Sequence, residues 1–473
     1  MIRASAGPSS PALTAIERRA NALFLVLAAA ASLTILWLGR GLTFFSDEWA
    51  FIETRSLGDP GTWFAPHNEH WSTLPVVAYR ALVETVGLGS YLPYQLLVVV
   101  LHVAVSAVAF RLVRRRAGAV VGLAAAVVVL FFGAGFENLY WGFQVGFVGA
   151  MAAGLATFDV LDGPPSGRAA AVVVALLVTA LATAGVGLFF LAAVTVEMLM
   201  RREWRRWLLA LAIPAAIYGT WYLAIGQSGI GAHRNPFTLA SIEQIPEFVI
   251  SGVGGAAGAV AGVGPTLGLG VAAAIVAWVA WLAVRRQHIA PRFLAATAAI
   301  VVAYALIALT RAGVTVNQVH YTRYTYVTGI LLIVGLAALV GPRLPGFATA
   351  LTRAGRSARL EVVAGAAFAF LLALGWNVLL LVDGRSLFVE RAALTRALVA
   401  AALAPDRPAA ADLDRSLILV PSPHSLERIV AAHGSPVGDW FWGPQVEPLR
   451  PELLTEANRR LVEGPPVYPD EGP

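Results

Sequence analysis

The chain contains no cysteine, and none of its 34 basic residues is a lysine; all are arginine. Without cysteine there is no disulfide framework and no thiolate metal site. Charge of either sign is scarce, at 13% of 473 residues, where a soluble protein carries about a quarter. Hydrophobic residues make up 58%, and mean hydropathy is +0.72. Such a chain reads as an all-α polytopic membrane protein. There is no internal repeat and no Walker or GxGxxG motif. The net charge of +6 does not point to nucleic acid, because the arginines fall in short clusters between apolar runs. Arginine-only usage with abundant Ala, Gly and Val fits coding from a GC-rich bacterial genome, so the expected location is a bacterial plasma membrane.

A span needs roughly 20 apolar residues. That rule places about eleven spans, near 21–40, 91–110, 118–134, 143–161, 169–183, 185–200, 207–225, 266–284, 293–310, 327–341 and 361–382. The run after residues 1–20 is nearly a full span long and no clear A-x-A site follows, so it reads as an uncleaved first span rather than a signal peptide. The run 169–200 is too long for one helix and is broken at "TAGVG".

Arginine clusters at 18–19, 111–116, 201–206, 285–292 and 343–359 fall on alternate connections, which the positive-inside rule assigns to the cytoplasm. The connections 41–90, 135–142, 226–265 and 311–326 then lie outside, as does the tail 383–473. This parity requires the glycine-rich stretch 248–264 not to cross, so an amphipathic or interfacial helix is expected there. The tail, rich in Pro, Asp and Arg, reads as a small soluble extension. Its "SLILVPSP" suggests a strand, followed by a helix over 424–432.

The unusual residues gather in the outer connections. "FFSDEWAFIE" sets Asp47 and Glu48 among Phe44, Phe45, Trp49 and Phe51 directly after the first span. An acidic pair at a span end is an ordinary interface marker. Adjacent carboxylates beside apolar surface also raise each other's proton affinity, which suits a general base or a metal ligand. "HNEH" brings His67, Glu69 and His70. On a helix the two histidines would share a face, and with Asp47 and Glu48 they could hold a divalent cation. Equally, they could fix the path of the loop. "FENLYWG" adds Glu137 and Trp141 as either an interfacial belt or part of the same pocket. His233 and Arg234 lie in the third outer connection. In the fourth, His320, Tyr321, Arg323 and Tyr324 frame an arginine that either snorkels or clamps a phosphate.

An acidic pair after the first span, in a long first outer loop, resembles the GT-C superfamily of membrane glycosyltransferases. Protein mannosyltransferases, the aminoarabinose transferases of lipid A, and the arabinosyl- and mannosyltransferases of actinobacteria belong to it. The likeness covers roughly residues 20–382, in topology and a few residues. It implies a bundle of about eleven to thirteen spans. It also implies a polyprenyl-phosphate or polyprenyl-diphosphate sugar donor, a glycan, lipid or protein acceptor, and inverting transfer on the outer face. Asp47 matches the acid taken as base, Glu48 the second acid of the pair, and Glu137 an acid of the second outer loop. "TRY" at 322–324 is similar to an Arg-Tyr feature before a late span. "HNEHW" is not a general mark of the superfamily.

On this reading Asp47 is the base, while Glu48 and Glu137 orient the acceptor or hold a cation. His67, Glu69, His70 and Trp141 shape the pocket. Arg323 and Arg234, with His233, His320, Tyr321 and Tyr324 around them, bind the phosphate end of the donor. The competing class is a transporter or flippase of lipid-linked sugars, or a non-catalytic scaffold. Transporters keep polar groups near the midplane. Here the spans hold Asp159, Glu197 and few other charges, both near expected cytoplasmic ends.

Overall fold

The structure, a computed structural model, describes residues 11–68, 70–229, 239–311, 319–439, 441 and 449–465. Helices dominate, because in a bilayer the backbone must satisfy its own hydrogen bonds. Helix α1 (Pro11–Leu38) leads to three short helices, α2 (Asp47–Glu53), α3 (Gly61–Phe64) and α4 (Thr73–Val86). The first half continues with α5 (Leu92–Leu130), α6 (Glu137–Tyr140), α7 (Val145–Leu161), α8 (Gly167–Leu181), α9 (Val186–Met200) and α10 (Trp204–Ala224). Then come α11 (Leu239–Glu243), α12 (Ile245–Ala261), α13 (Gly264–Val284), α14 (Pro291–Arg311), α15 (Thr322–Val340) and α16 (Leu344–Arg353). The chain closes with α17 (Arg356–Leu403), α18 (Pro423–His433) and α19 (Pro451–Glu463).

Among the described residues, eight helical stretches are long and apolar enough to cross a membrane, and α8 and α9 are shorter apolar helices. One of the eight, α5, is two arms. Gly118 at φ 84° breaks it, a conformation glycine adopts freely. His102 Nε2 lies 3.2 Å from the Leu130 carbonyl, so the arms fold back on each other. The bundle therefore carries eleven apolar arms besides α12, in line with the sequence count.

The arginine clusters meet at one end. Arg114 reaches Glu17 at 3.0 Å, joining α5 to α1. Arg115 meets Asp159 at 2.6 Å and Arg116 meets Asp162 at 2.7 Å. Arg292 of α14 binds Glu197 of α9 at 2.6 Å and Asp162 at 3.1 Å, and Arg201 also pairs with Glu197. The carboxylates near the span ends are thus neutralised by arginines, not strung along a midplane path. The opposite end of the bundle carries α2, α6 and the start of α15.

Two expectations are corrected. The stretch 248–264, expected to be an amphipathic or interfacial helix, lies mostly in α12, which is packed into the bundle: it pairs lengthwise with α13 and also packs on α14, α15 and α17. Its buried face is Gly252, Gly254, Gly255, Ala256, Ala257, Gly258 and Ala259. Small residues let two backbones approach closely, the usual device between membrane helices. A side chain built at Gly258 would place its Cβ 2.0 Å from the Gly264 carbonyl oxygen. The second correction concerns the tail. Residue 383 is no boundary, because α17 runs unbroken for 48 residues and buries Phe388, Ala392, Thr395, Arg396 and Leu398 beyond it. "SLILVPSP" forms no strand: residues 417–420 make a tight turn, with Leu417 N–H donating to Val420 O at 3.1 Å. The helix after it is α18, as expected.

Candidate functional site

The segment entering α2 is unusual. Ser46 sits at φ 53°, ψ −125°, a left-handed setting for a non-glycine residue, and Asp47 opens the helix directly after it. Such a backbone costs about 1–3 kcal/mol and persists only where its surroundings impose it. Asp47 stays partly exposed, with its side chain at 25%, and His67 Nε2 lies 3.8 Å from its Oδ1.

Glu48 goes the other way and is fully buried. It accepts hydrogen bonds from the Phe45 N–H at 2.9 Å, from Tyr91 at 2.7 Å and from Tyr79. Burial outweighs these donors and pushes the Glu48 carboxyl up to about 7. Burial and the neighbouring acid push both phenols well above their usual range. Gly142 closes over this acid by backbone: its N–H donates to the Tyr91 hydroxyl at 2.6 Å, and a Cβ there would stand 2.9 Å from Glu48 Oε1. Glu48 is therefore a buried anchor that joins α2 to α4 and the second loop.

The H-x-x-H pair is not helical. His67 and His70 form an isolated antiparallel bridge, with backbone bonds of 3.0 and 2.9 Å and Asn68 at φ 50° between them. The two rings diverge. His67 faces Asp47, Phe51 and Phe143, whereas His70 lies against Phe147 and over Gly185. With Glu48 held by tyrosines as well, Asp47, Glu48, His67 and His70 share no common point. Among the described residues no three His, Asp or Glu side chains gather as a metal-ligand group. Glu69, His233 and Arg234 lie outside the described residues.

Glu137 caps α15. Its Oε2 accepts the Arg323 N–H at 3.0 Å and the Thr322 hydroxyl at 3.1 Å. Carboxylates are favoured at helix N-termini, where backbone N–H groups lack partners. The Arg323 guanidinium is buried over the rings of Tyr321 at 4.9 Å and Tyr324 at 5.3 Å, within electrostatic reach of both Glu137 and Asp47. Trp141, one turn after Glu137, stacks on Phe45 at 4.9 Å and adjoins Phe143, which itself touches His67. His320 turns to α12: its Nε2 lies 3.0 Å from Ser251 Oγ, and burial holds its imidazole below the usual range. Asp47, His67, Glu137, Trp141, Tyr321, Arg323 and Tyr324 thus share one end of the bundle, brought together from three separate connections.

Sequence reading missed the residues that hold this arrangement. Tyr79 and Tyr91 are plain aromatics in the sequence. Arg80, whose Nη1 caps the C-terminal end of α2 through the Ile52 carbonyl at 2.7 Å, carries no motif. Their roles arise from partners tens of residues away. No family profile matches the chain, and neither does any curated protein. Two solved structures are similar to it, each over 81% of this chain and 81% of its own, at 16% identity and a TM-score of 0.48. They are crystal structures of ArnT from Cupriavidus metallidurans, one bound to undecaprenyl phosphate and one in the apo state.

Proposed function

We propose that this protein is a membrane glycosyltransferase of the GT-C kind. It moves a sugar from a polyprenyl-phosphate donor to a hydroxyl of a cell-envelope glycan, lipid or protein, on the outer face and with inversion. The observation that carries this reading is the placement of Asp47 and Arg323 at the same end of a membrane bundle, within electrostatic reach of each other. A partly exposed carboxylate can take a proton there, and a fixed cation stands close by.

In this mechanism the acceptor hydroxyl gives its proton to the Asp47 carboxylate as its oxygen bonds to the anomeric carbon. The bond from that carbon to the phosphate oxygen breaks, and the lipid phosphate leaves with the electron pair. Arg323, pre-set over Tyr321 and Tyr324, offsets the charge that develops on the departing phosphate. His67 orients Asp47 from 3.8 Å. Glu137 acts one step back, by holding the α15 N-terminus that carries Arg323.

The test uses purified full-length protein in lipid nanodiscs with a panel of polyprenyl-phosphate sugars and envelope acceptors. Asp47→Asn should express and melt like the wild type yet lose at least about 100-fold in transfer rate, the scale of general-base catalysis. Transfer at wild-type rate by that variant removes Asp47 from the role of base.

A further inference from the structure

The nine residues Leu38–Ser46 carry the chain from the first span to Asp47, and residues far along the sequence hold them. Arg385 Nε donates to the Leu38 carbonyl at 2.9 Å. Buried Arg396 donates through Nη2 to the carbonyls of Gly41 and Leu42, at 2.5 and 3.2 Å. The Thr43 hydroxyl donates to the Pro436 carbonyl at 3.1 Å. Ser46 N–H donates to the Leu419 carbonyl at 2.9 Å. Just beyond α4, Leu88 N–H donates to His433 O at 2.8 Å. All of these partners lie in the later half of α17 or after it.

The contact at Ser46 is the most demanding. Ile418 sits at φ 68°, a region that disfavours β-branched residues most, and its side chain is 58% exposed, so packing does not explain it. That backbone setting lies within the turn where Leu417 N–H donates to Val420 O and Leu419 N–H to Leu417 O, and it aims the Leu419 carbonyl at Ser46. One left-handed residue, Ser46, thus donates to the carbonyl of the residue that follows another, Ile418, and the residue after Ser46 is Asp47.

We propose that the chain from Arg385 to Pro436 is a positioning strap for Asp47, with Ile418 and Leu419 setting the turn into α2 through Ser46. The strap acts on the site proposed above and so rests on that reading for its effect on transfer, but not for its effect on the structure. Proline cannot take a positive φ and will turn the Leu419 carbonyl away, whereas glycine takes it freely. Thr43→Val removes one strap bond with almost no change of shape.

The experiment compares full-length wild type, Ile418→Pro, Ile418→Gly and Thr43→Val in nanodiscs, by amide hydrogen exchange over residues 40–53 and by transfer kinetics. Ile418→Pro should raise exchange in that segment about 10-fold or more. It should lower kcat about 10-fold or more while leaving donor KM within about twofold, as misplacement of a reacting group does. Thr43→Val should shift both in the same direction by less, and Ile418→Gly should match the wild type in both. Unchanged exchange over 40–53 in both Ile418→Pro and Thr43→Val overturns the strap, whatever the activity. Raised exchange with unchanged kcat also overturns it as a device for Asp47. A wild type inactive on every donor, with exchange responding as described, refutes the transferase reading and leaves the strap standing.

Discussion

The Arg323 N–H donates to the Glu137 carboxylate at 3.0 Å, across 186 positions of sequence. This bond ties the second connection at the Asp47 end to the start of α15. It also fixes where the Arg323 guanidinium emerges relative to Asp47. An acid expected from the sequence to orient the acceptor or hold a cation thus caps a helix in the structure.

The first prediction follows from that cap. Glu137→Gln keeps an acceptor oxygen for the Arg323 N–H but loses the charge. Glu137→Ala loses both. Removing an N-terminal cap costs about 0.5–2 kcal/mol. Alanine should lower the thermal midpoint and transfer together, and glutamine should keep most of both. Equal and complete loss of transfer in the two variants, with unchanged midpoints, points instead to a direct chemical role for the Glu137 charge.

Glu48 predicts a pH dependence of stability. Its carboxyl titrates at about 7 when folded, against an ordinary value of 4.5 for the unfolded chain. Between those values the folded chain holds a proton that the unfolded chain has released. The contribution of Glu48 is therefore full below pH 4.5 and is lost as pH rises through 7, amounting to about 3 kcal/mol in all. Glu48→Gln should flatten the fall in thermal midpoint between about pH 4.5 and 7 in a fixed detergent. Parallel curves for the two proteins refute a titrating Glu48.

The span pattern was legible because it rests on local quantities. Apolar run lengths gave eleven arms, and arginine placement separated the two ends. Asp47 and Arg323 stood out as candidates too, since polar residues are conspicuous in a sequence with 13% charge. What stayed hidden depends on distant partners or on unusual backbone settings. His67 and His70 are three apart in either conformation, and only the bridge between them, with Asn68 left-handed, sends their rings apart. Glu48 looks like the twin of Asp47 until Tyr79 and Tyr91 close on it. The turn at Ile418 looks like a strand because β-branched and apolar residues favour one.

The α12–α13 pairing gives a third prediction. Cβ atoms built at Gly258 and Gly268 would lie 2.0 and 2.1 Å from backbone oxygens of the facing helix. Backbone cannot swing aside as a side chain can, so Gly258→Val should cost at least the roughly 1–3 kcal/mol of an overpacked core. It should lower the thermal midpoint and the yield of monodisperse protein. Gly270→Val on α13, where a Cβ meets nothing within 4 Å, serves as the control and should be close to neutral. Equal midpoints for the two variants show that α12 does not pair with α13.

The fourth prediction concerns the arginine-rich end. Arg292 and Glu197 are 2% and 0% exposed and meet at 2.6 Å. Removing one partner of a buried pair typically costs about 3–5 kcal/mol, because the other charge stays buried without its counterpart. Here each partner keeps a second contact, Arg292 with Asp162 at 3.1 Å and Glu197 with Arg201. The single variants Glu197→Leu and Arg292→Met should therefore fall toward the lower end, near about 3 kcal/mol. The double variant removes both desolvated charges and puts apolar groups of similar volume between α9 and α14, so it should recover at least half of that loss. Because this cluster lies at the end away from Asp47, transfer per folded molecule should hold in the double variant. Thermal midpoints and transfer rates for the three proteins test both points. Additive losses in the double variant show that the pair contributes through packing alone, and lost transfer at a recovered midpoint shows that this end takes part in the reaction cycle.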